Sequence, residues 1–347
     1  MNIEIITSSR KQLYYRLIAL WAVCEGMLGG IIHGFNLPVT GLIVGSGAVI
    51  IICLIGFFVP EKGSIIKATI IVAIFKLMLS PQSPLPAYFA VFFQGITGEL
   101  VFSFLRSIKA PVTGRFYKIL CIIFATLALM ESGLQRIVVT TLIYGTAFWK
   151  AVNDFINGLT HQKSISNYSL LIAGSYVALH FIAGLFIGFT AATIPANLRK
   201  WKQLYQPGIL INTEETIVPK TAKKNTFWRK GLFLVWTALL MLFFQSEFKV
   251  GRPLLSSDDT LHILIRSALI FLSWYFLVSP LLTFFMKKWL ERQKIKSKST
   301  INDILLLIPS IKYLLLKCWQ YSRDEKGLRR LQKFLKIALV NSLYECS

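Results

Sequence analysis

The sequence predicts an all-α, polytopic membrane protein, and three observations support this fold class. Hydrophobic residues make up 54% of the 347-residue chain, and its mean hydropathy is +0.60. Several apolar stretches reach about 18 residues or more, the length that a helix needs to cross a bilayer. Basic residues cluster in the short segments between these stretches, as the positive-inside rule expects.

Eight membrane spans are predicted from the apolar stretches. Six belong to an N-terminal module of residues 1–195, and two belong to a C-terminal part at 231–347, after a cytoplasmic linker rich in proline and lysine at 196–230. The predicted spans are 13–35, 37–59, 64–80, 84–105, 116–148, 168–194, 231–246 and 261–286.

The charge of the connections predicts the orientation. Basic segments such as "RSIKAPVTGRFYK" and "RKWK" alternate along the chain with charge-free ones such as "SPQSP". This alternation predicts a protein of the cell (inner) membrane whose N- and C-termini are both cytoplasmic. The N-terminal segment lacks a small-residue cleavage site, so we expect a retained first helix rather than a signal peptide.

The fifth stretch, 116–148, is longer than one crossing requires, and the polar sequence "MESGLQR" interrupts it. We expect one crossing, followed by an outer helix over "IVVTTLIYGTAFWKAV". A second crossing stays open as an alternative, although it would place the basic C-terminal tail outside the cell.

The sequence after residue 300 predicts a pair of cytoplasmic amphipathic helices. Pro309 and Lys312 interrupt "INDILLLIPSIKYLLLKCWQ", which argues against a further span. The next stretch, "LRRLQKFLKIALVNSLY", forms one apolar face opposite a mostly basic one; the apolar face contains Leu328, Leu331, Leu335, Ala338 and Ser342. Such helices suit a membrane surface or the groove of a partner.

Polar side chains inside the predicted spans are the candidate binding residues. They are Glu25, His33, Lys76, Gln94, Glu99 and His180. Unpaired charges in the bilayer centre cost about 2.5–3.5 kcal/mol each on insertion scales, so such groups pair or line a wet cavity. Glu25 with Lys76 and Glu99 with Lys67 are the candidate pairs. For each residue alone, a role in internal packing stays open as an alternative. The residues as a group favour a small-molecule site.

A stripe of small residues on the first span predicts helix docking. Ala22, Gly26 and Gly30 recur every four residues, and small residues at this spacing allow another helix to approach closely. Glu25, Gly29 and His33 form the neighbouring stripe, so docking and binding faces would lie side by side.

The function classes that the sequence disfavours are equally informative. The net charge of +22 would suggest nucleic acid in a soluble protein, but the topology explains it, so no nucleic-acid partner is expected. Neither a P-loop nor an H-E-x-x-H, a nucleophile elbow or a paired-cysteine motif occurs. We therefore expect no enzymatic activity, no cofactor, no metal and no ATP binding through a P-loop of its own.

The first 195 residues resemble the substrate-binding (S) components of energy-coupling factor (ECF) transporters. The resemblance rests on six spans with a cytoplasmic N-terminus, the small-residue stripe, the phrase "IIHGFNLPVTGLIVG" and the polar "QGITGE". It implies that the stripe of Ala22, Gly26 and Gly30 docks on a transmembrane (T) component. It also implies that Gln94, Glu99 and His180 belong to the pocket.

The part after residue 225 resembles, over less of its length, a shortened T component. Two spans lead into the amphipathic helix pair, with "YSRDEKGLRR" at its connection. T components contact their ATPases through short arginine-centred motifs, so the resemblance implies partner docking at Arg323 and Gly327. The alanine-arginine-glycine type of motif is absent from this chain.

The leading hypothesis is a membrane subunit of an ECF-type ABC importer for a small molecule such as a vitamin, driven by a separate ATPase on the cytoplasmic side. Two alternatives stay open. One is a membrane assembly or scaffold protein whose polar residues serve packing. The other is an ion-coupled secondary transporter in which Glu25 and Glu99 bind protons.

Overall fold

The computed structural model describes most of the chain. The described residues are 10–30, 39–80, 83, 85–109, 111, 114–160, 167–205, 237, 241, 257–273, 276 and 279–343.

The described part of the chain is all-helical, which confirms the predicted fold class at this level. Its helices are α1 Arg10–Val23, continued by a π-helical turn at Cys24–Leu28, α2 Thr40–Phe58, α3 Ser64–Leu79, α4 Leu85–Ser107, α5 Arg115–Tyr144, α6 Thr146–Thr160, α7 Tyr168–Tyr205, α8 Ser257–Ser273, α9 Ser279–Lys296, α10 Lys298–Tyr321 and α11 Gly327–Leu343.

Four of the described helices are long and apolar enough to span a membrane. They are α2, α4, α5 and α7, which supports a helical membrane protein. The predicted spans at 13–35 and 64–80 correspond to α1 and α3. Both lie inside the bundle, where Leu17, Trp21 and Phe75 are almost completely buried.

The bundle has two chemically different ends. At the basic end, α1, α3 and α5 begin and α2, α4 and α7 finish; the connections there carry Lys62 and Lys109, and the last part of α7 carries Lys200. The Tyr14 hydroxyl donates a hydrogen bond of 2.6 Å to the Ser64 carbonyl there, which joins the starts of α1 and α3. At the opposite end, called the far end below, the Gln135 amide donates to the Pro86 carbonyl at 3.0 Å and joins α5 to α4.

The outer helix that was expected directly after "MESGLQR" does not begin there. Helix α5 continues through this sequence to Tyr144, because neighbouring helices accommodate polar side chains such as that of Ser132. A Cβ at Gly41 would lie 2.0 Å from Ser132 Oγ, so this glycine makes room for the serine. The helix ends at Gly145, whose φ of +76° suits glycine. The following helix, α6, therefore starts at Thr146 rather than within the stretch beginning at Ile137.

Two helices continue through an internal proline. Helix α7 passes the predicted module boundary, continues through Pro195 and ends at Tyr205, and α10 continues through Pro309. An internal proline removes one backbone hydrogen bond, a loss that the flanking turns tolerate here. The remaining linker, 206–230, and all but Thr237 and Met241 of the predicted span 231–246 lie outside the described residues.

The C-terminal helices share the apolar core of the N-terminal module. Leu290 of α9, Ile304 of α10 and Val340 of α11 belong to the same buried cluster as Leu17 and Ile18 of α1. Helices α9, α10 and α11 therefore pack directly against helices of the predicted N-terminal module. Helices α10 and α11 form a hairpin that packs across α1 and α7, with its loop at residues 322–326.

Candidate functional site

A buried ion pair at the far end unites two of the predicted binding residues. Lys76 Nζ lies 2.7 Å from Glu25 Oε2, and both side chains are at most 4% exposed. Lys76 Nζ also donates to the Ala87 carbonyl at 3.1 Å and lies 5.7 Å from the centre of the Tyr88 ring. The predicted pairing of Glu25 with Lys76 is confirmed, and it joins α1, α3 and α4.

The π-helical turn places Glu25 at this junction. The turn at Cys24–Leu28 interrupts the α-helical register of α1, and such turns occur often at functional sites because they re-aim side chains. Glu25 itself is 3% exposed. A buried pair of this kind costs about 3–5 kcal/mol when one partner alone is removed, because the remaining charge is left uncompensated.

The predicted docking stripe is covered by the protein's own α3. A Cβ at Gly26 would meet Leu79 at 3.1 Å, and one at Gly30 would meet Ser80 Oγ at 3.2 Å. Ala22 is fully buried. In this structure the stripe therefore allows close internal packing, beside the ion pair, and a second protein would have to displace α3 to reach it.

Glu99 lies at the basic end and holds the start of α3. Its carboxylate accepts hydrogen bonds from the backbone N–H groups of Gly63 at 2.9 Å and Ile65 at 3.1 Å, and it pairs with Arg106. A carboxylate at a helix N-terminus satisfies unpaired N–H groups and complements the helix dipole. The expected pairing of Glu99 with Lys67 is wrong. The cation that pairs with Glu99 is Arg106, two turns further along the same helix.

Gln94 and His180 are buried at two further helix interfaces. The Gln94 amide nitrogen would lie 3.2 Å from a Cβ at Gly45, which places this side chain between α4 and α2. His180 is completely buried, and its Nδ1 lies 2.9 Å from the Tyr176 carbonyl. The imidazole ring packs against Gly133 of α5. Within the described part of the chain, Gln94 Oε1 and His180 Nε2 have no hydrogen-bond partner.

The described residues thus do not assemble one polar cavity from all the predicted binding residues. Glu25 and Lys76 meet at the far end, Glu99 lies at the basic end, and His180 lies between α5 and α7. His33 lies outside the described residues. Among the described side chains, no group of His, Cys, Asp and Glu could hold a metal ion.

An open groove runs along the seam between α5 and α7. Its volume is about 540 Å³, and its lining is almost entirely apolar, including Met130, Ile137, Gly174 and Phe181. Such a surface suits hydrocarbon rather than a polar ligand, so it differs from the wet cavity that the sequence predicts.

The loop of the α10–α11 hairpin exposes the two predicted partner-docking residues. Arg323 and Gly327 are both exposed, and Gly327 has a φ of +58°. Arg330 stacks 4.0 Å from the centre of the Trp319 ring and donates to the Trp319 carbonyl at 3.3 Å. These contacts hold the two helices together next to the loop.

An ion pair between Asp324 and Lys333 also crosses the hairpin. The hydrogen bond and the charge of Lys333 lower the pKa of Asp324. The same contact raises the pKa of Lys333. The carboxylate is 61% exposed, so solvent screens the pair and its contribution to stability is small.

Sequence reasoning missed one half-buried acid. Glu131 lies within "MESGLQR", and both of its carboxylate oxygens are enclosed without a hydrogen-bond partner among the described residues. The signal that could have revealed it is helical spacing: Phe124, Ala128, Glu131 and Gln135 recur on one face of a continuous helix.

Comparisons of the chain with protein-family models, with curated proteins and with solved structures find no match.

Proposed function

We propose that the protein is a membrane subunit of an ECF-type importer for a small molecule, and that a separate ABC-type ATPase binds its cytoplasmic face. The observation that carries this proposal is the α10–α11 hairpin. It is anchored in the helical bundle at one side and presents an exposed, arginine-bearing loop at the other.

The anchoring half of the hairpin is apolar and buried. Ile301, Ile304 and Ile308 of α10 belong to the main core, and Ile337–Leu343 at the end of α11 is buried throughout. A force applied to the loop would therefore reach α1 and α7 through packed side chains rather than through a flexible tether.

The exposed half of the hairpin has the character of a protein-docking surface. Leu328, Leu331 and Leu335 are 79%, 45% and 40% exposed and follow one helical stripe that begins just after the loop. An apolar stripe at this spacing suits the groove of a partner protein. Arg323 adds a guanidinium whose planar group can pair with a carboxylate on the ATPase.

The substrate would bind in the bundle on the side opposite the ATPase. Glu25 and Lys76 are the proposed binding residues, because they are the two predicted ones that the far end brings together. The ion pair holds α1 against α3 and α4. Binding would therefore require these helices to separate, and Glu25 and Lys76 would then contact the substrate instead of each other.

Affinity purification of the full-length protein from its native membrane in mild detergent tests the importer. We expect a P-loop ATPase to co-purify with the wild-type protein and to show ATP hydrolysis. Arg323→Glu should reduce the recovered ATPase at least about tenfold, because reversing one interfacial charge places like charges in contact. Lys298→Glu, at the start of α10 and away from the loop, is the matched control and should retain the ATPase.

A scaffold protein is the second candidate, and the internal packing of the small-residue stripe favours it. In that case the purification would recover other membrane proteins, would yield no ATPase, and would give the same set with Arg323→Glu. Loss of the ATPase from both variants equally would contradict the proposed role of Arg323.

A further inference from the structure

Glu131 lies directly after the longest apolar run of α5, residues 119–130, and one helical turn before Gln135. At about 1.5 Å per residue it is roughly 24 Å along the helix axis from Arg115 and roughly 20 Å from Tyr144. Measured from the basic end, the carboxyl group therefore lies towards the far side of a bilayer core about 30 Å thick.

Its surroundings differ from those of the other buried acids. The four candidate spanning helices carry two acids, Glu99 and Glu131. Glu99 accepts several hydrogen bonds and pairs with Arg106, and Glu25 of α1 pairs with Lys76. Both oxygens of Glu131, in contrast, are enclosed and have no hydrogen-bond partner among the described residues.

Helix α4 covers the face of α5 on which Glu131 lies. Phe124 approaches Gly98, so that a Cβ there would be 3.3 Å from its ring, and Gln135 binds the Pro86 carbonyl. Glu131 lies between these two contacts on the same stripe. The seam between α4 and α5 therefore encloses the carboxyl group.

Other titratable groups on the helices around α5 lie elsewhere. Helix α2 contributes one thiol, Cys53, towards the basic end. The described titratable side chains on the remaining neighbours, apart from those at the basic end, are Tyr88 on α4, Tyr168, Tyr176 and His180 on α7, Lys150 and Asp154 on α6, and Asp258, His262 and Arg266 on α8. None of them bonds to Glu131 in the structure. The nearest cation in sequence, Arg136, lies more than one turn along α5.

An ionised carboxylate in these surroundings would lack both water and a counter-charge, which is far less favourable than a neutral acid. We propose that Glu131 is a proton-binding site inside the membrane. In the state described here it is a neutral carboxylic acid, and it exchanges its proton with the aqueous phase when the seam between α4 and α5 opens.

This assignment changes which acid an ion-coupled mechanism would use. The sequence predicts Glu25 and Glu99 for this role, but each of them is held in an ion pair, Glu25 with Lys76 and Glu99 with Arg106. Glu131 lacks such partners, so it is the acid on the spanning helices that can gain and lose a proton without breaking an ion pair. The proposal does not depend on whether an ATPase binds the hairpin.

Infrared spectroscopy of the full-length protein in lipid bilayers tests the assignment. The carbonyl stretch of a protonated carboxylic acid is separate from the amide bands. At pH 7 we expect this band in the wild-type protein and not in Glu131→Gln, a nearly isosteric variant. Glu291→Gln, which changes an exposed acid of α9, is the matched control and should retain it.

Exchange into D₂O and a rise in pH distinguish an exchanging site from a sealed acid. We expect the band to shift in D₂O and to diminish as the pH rises. Identical spectra for wild type and Glu131→Gln would overturn the proposal, because Glu131 would then be ionised. A Glu131 band that neither shifts nor titrates while the protein stays folded would also overturn it, because the acid would then be purely structural.

Discussion

Two ion pairs in this protein have the same chemistry but opposite surroundings. Glu25 and Lys76 meet inside the bundle with side chains 4% and 2% exposed. Asp324 and Lys333 meet on the hairpin with side chains 61% and 24% exposed. Burial, rather than the identity of the charges, decides what each pair does: the first fixes three helices, whereas water screens the second.

Glu99 and Arg106 lie between these extremes. Their side chains are 11% and 21% exposed, and the carboxylate also accepts two backbone hydrogen bonds from the start of α3. The three pairs therefore form a series of decreasing burial, and the predictions below test whether the effect of substitution follows that series.

Lys76→Met should have the largest effect. It leaves the Glu25 carboxylate buried without a counter-charge, and we expect a loss of about 3–5 kcal/mol in the free energy of unfolding. Denaturant unfolding in detergent micelles, followed by circular dichroism, measures it. A loss below about 1 kcal/mol would show that water reaches this pair.

The double substitution Glu25→Leu with Lys76→Met should recover most of that loss. Replacing a buried ion pair by apolar groups of similar size is often neutral or stabilising, because the cost of desolvating both charges disappears. The same unfolding measurement applies. If the double variant is as unstable as Lys76→Met alone, the ion pair stabilises the fold by more than neutralising two buried charges.

Glu99→Gln should have an intermediate effect of about 1–3 kcal/mol. The amide retains one acceptor oxygen but loses the charge that strengthens the hydrogen bonds to Gly63 and Ile65. Hydrogen exchange of the first turn of α3 should increase along with the loss of stability. Ser103→Ala, which removes only a 2.9 Å hydrogen bond to the same carboxylate, should change both quantities less.

Substitution in the Asp324–Lys333 pair on the hairpin should have the smallest effect on stability, and this effect should depend on pH. The pKa of Asp324 is lowered from its ordinary 3.8, so its contribution to stability is present above that value and is lost as the pH falls through the folded-state pKa. The pKa of Lys333 is raised from 10.5, so its contribution is lost only as the pH rises through the folded-state pKa.

Asp324→Asn should therefore reduce stability slightly between these two pH limits and leave it unchanged in strong acid. Added salt should narrow the difference between wild type and variant, because it screens exposed charges. Thermal unfolding at several pH values and two salt concentrations measures both effects. A difference that is largest in strong acid would contradict the assigned direction.

Much of the helical fold could be predicted from the order of the residues. Apolar runs of sufficient length specify helices such as Thr40–Phe58 almost without reference to their neighbours. Helix ends were harder to predict. Polar residues at 131–136 and the prolines at 195 and 309 looked like interruptions, but neighbouring helices accommodate them.

The candidate site was less predictable, because the expected charges are divided between separate places. The pairing of Glu25 with Lys76 was inferred as one of several options, and the fold selected it. Glu99 binds the start of α3 and Arg106 instead of the expected partner, Lys67. Helical periodicity identifies the face on which an acid lies, but it does not identify what covers that face.

The sequence by itself determined that this protein is helical and apolar enough for a membrane, because hydrophobic length and residue type act locally along the chain. Tertiary structure alone decided which polar groups are satisfied. Glu25, Glu99 and Glu131 are all acids within apolar helices, yet one is paired, one holds a helix start and one is left without a partner. That difference arises because the environment of a buried charge is set by side chains distant in sequence.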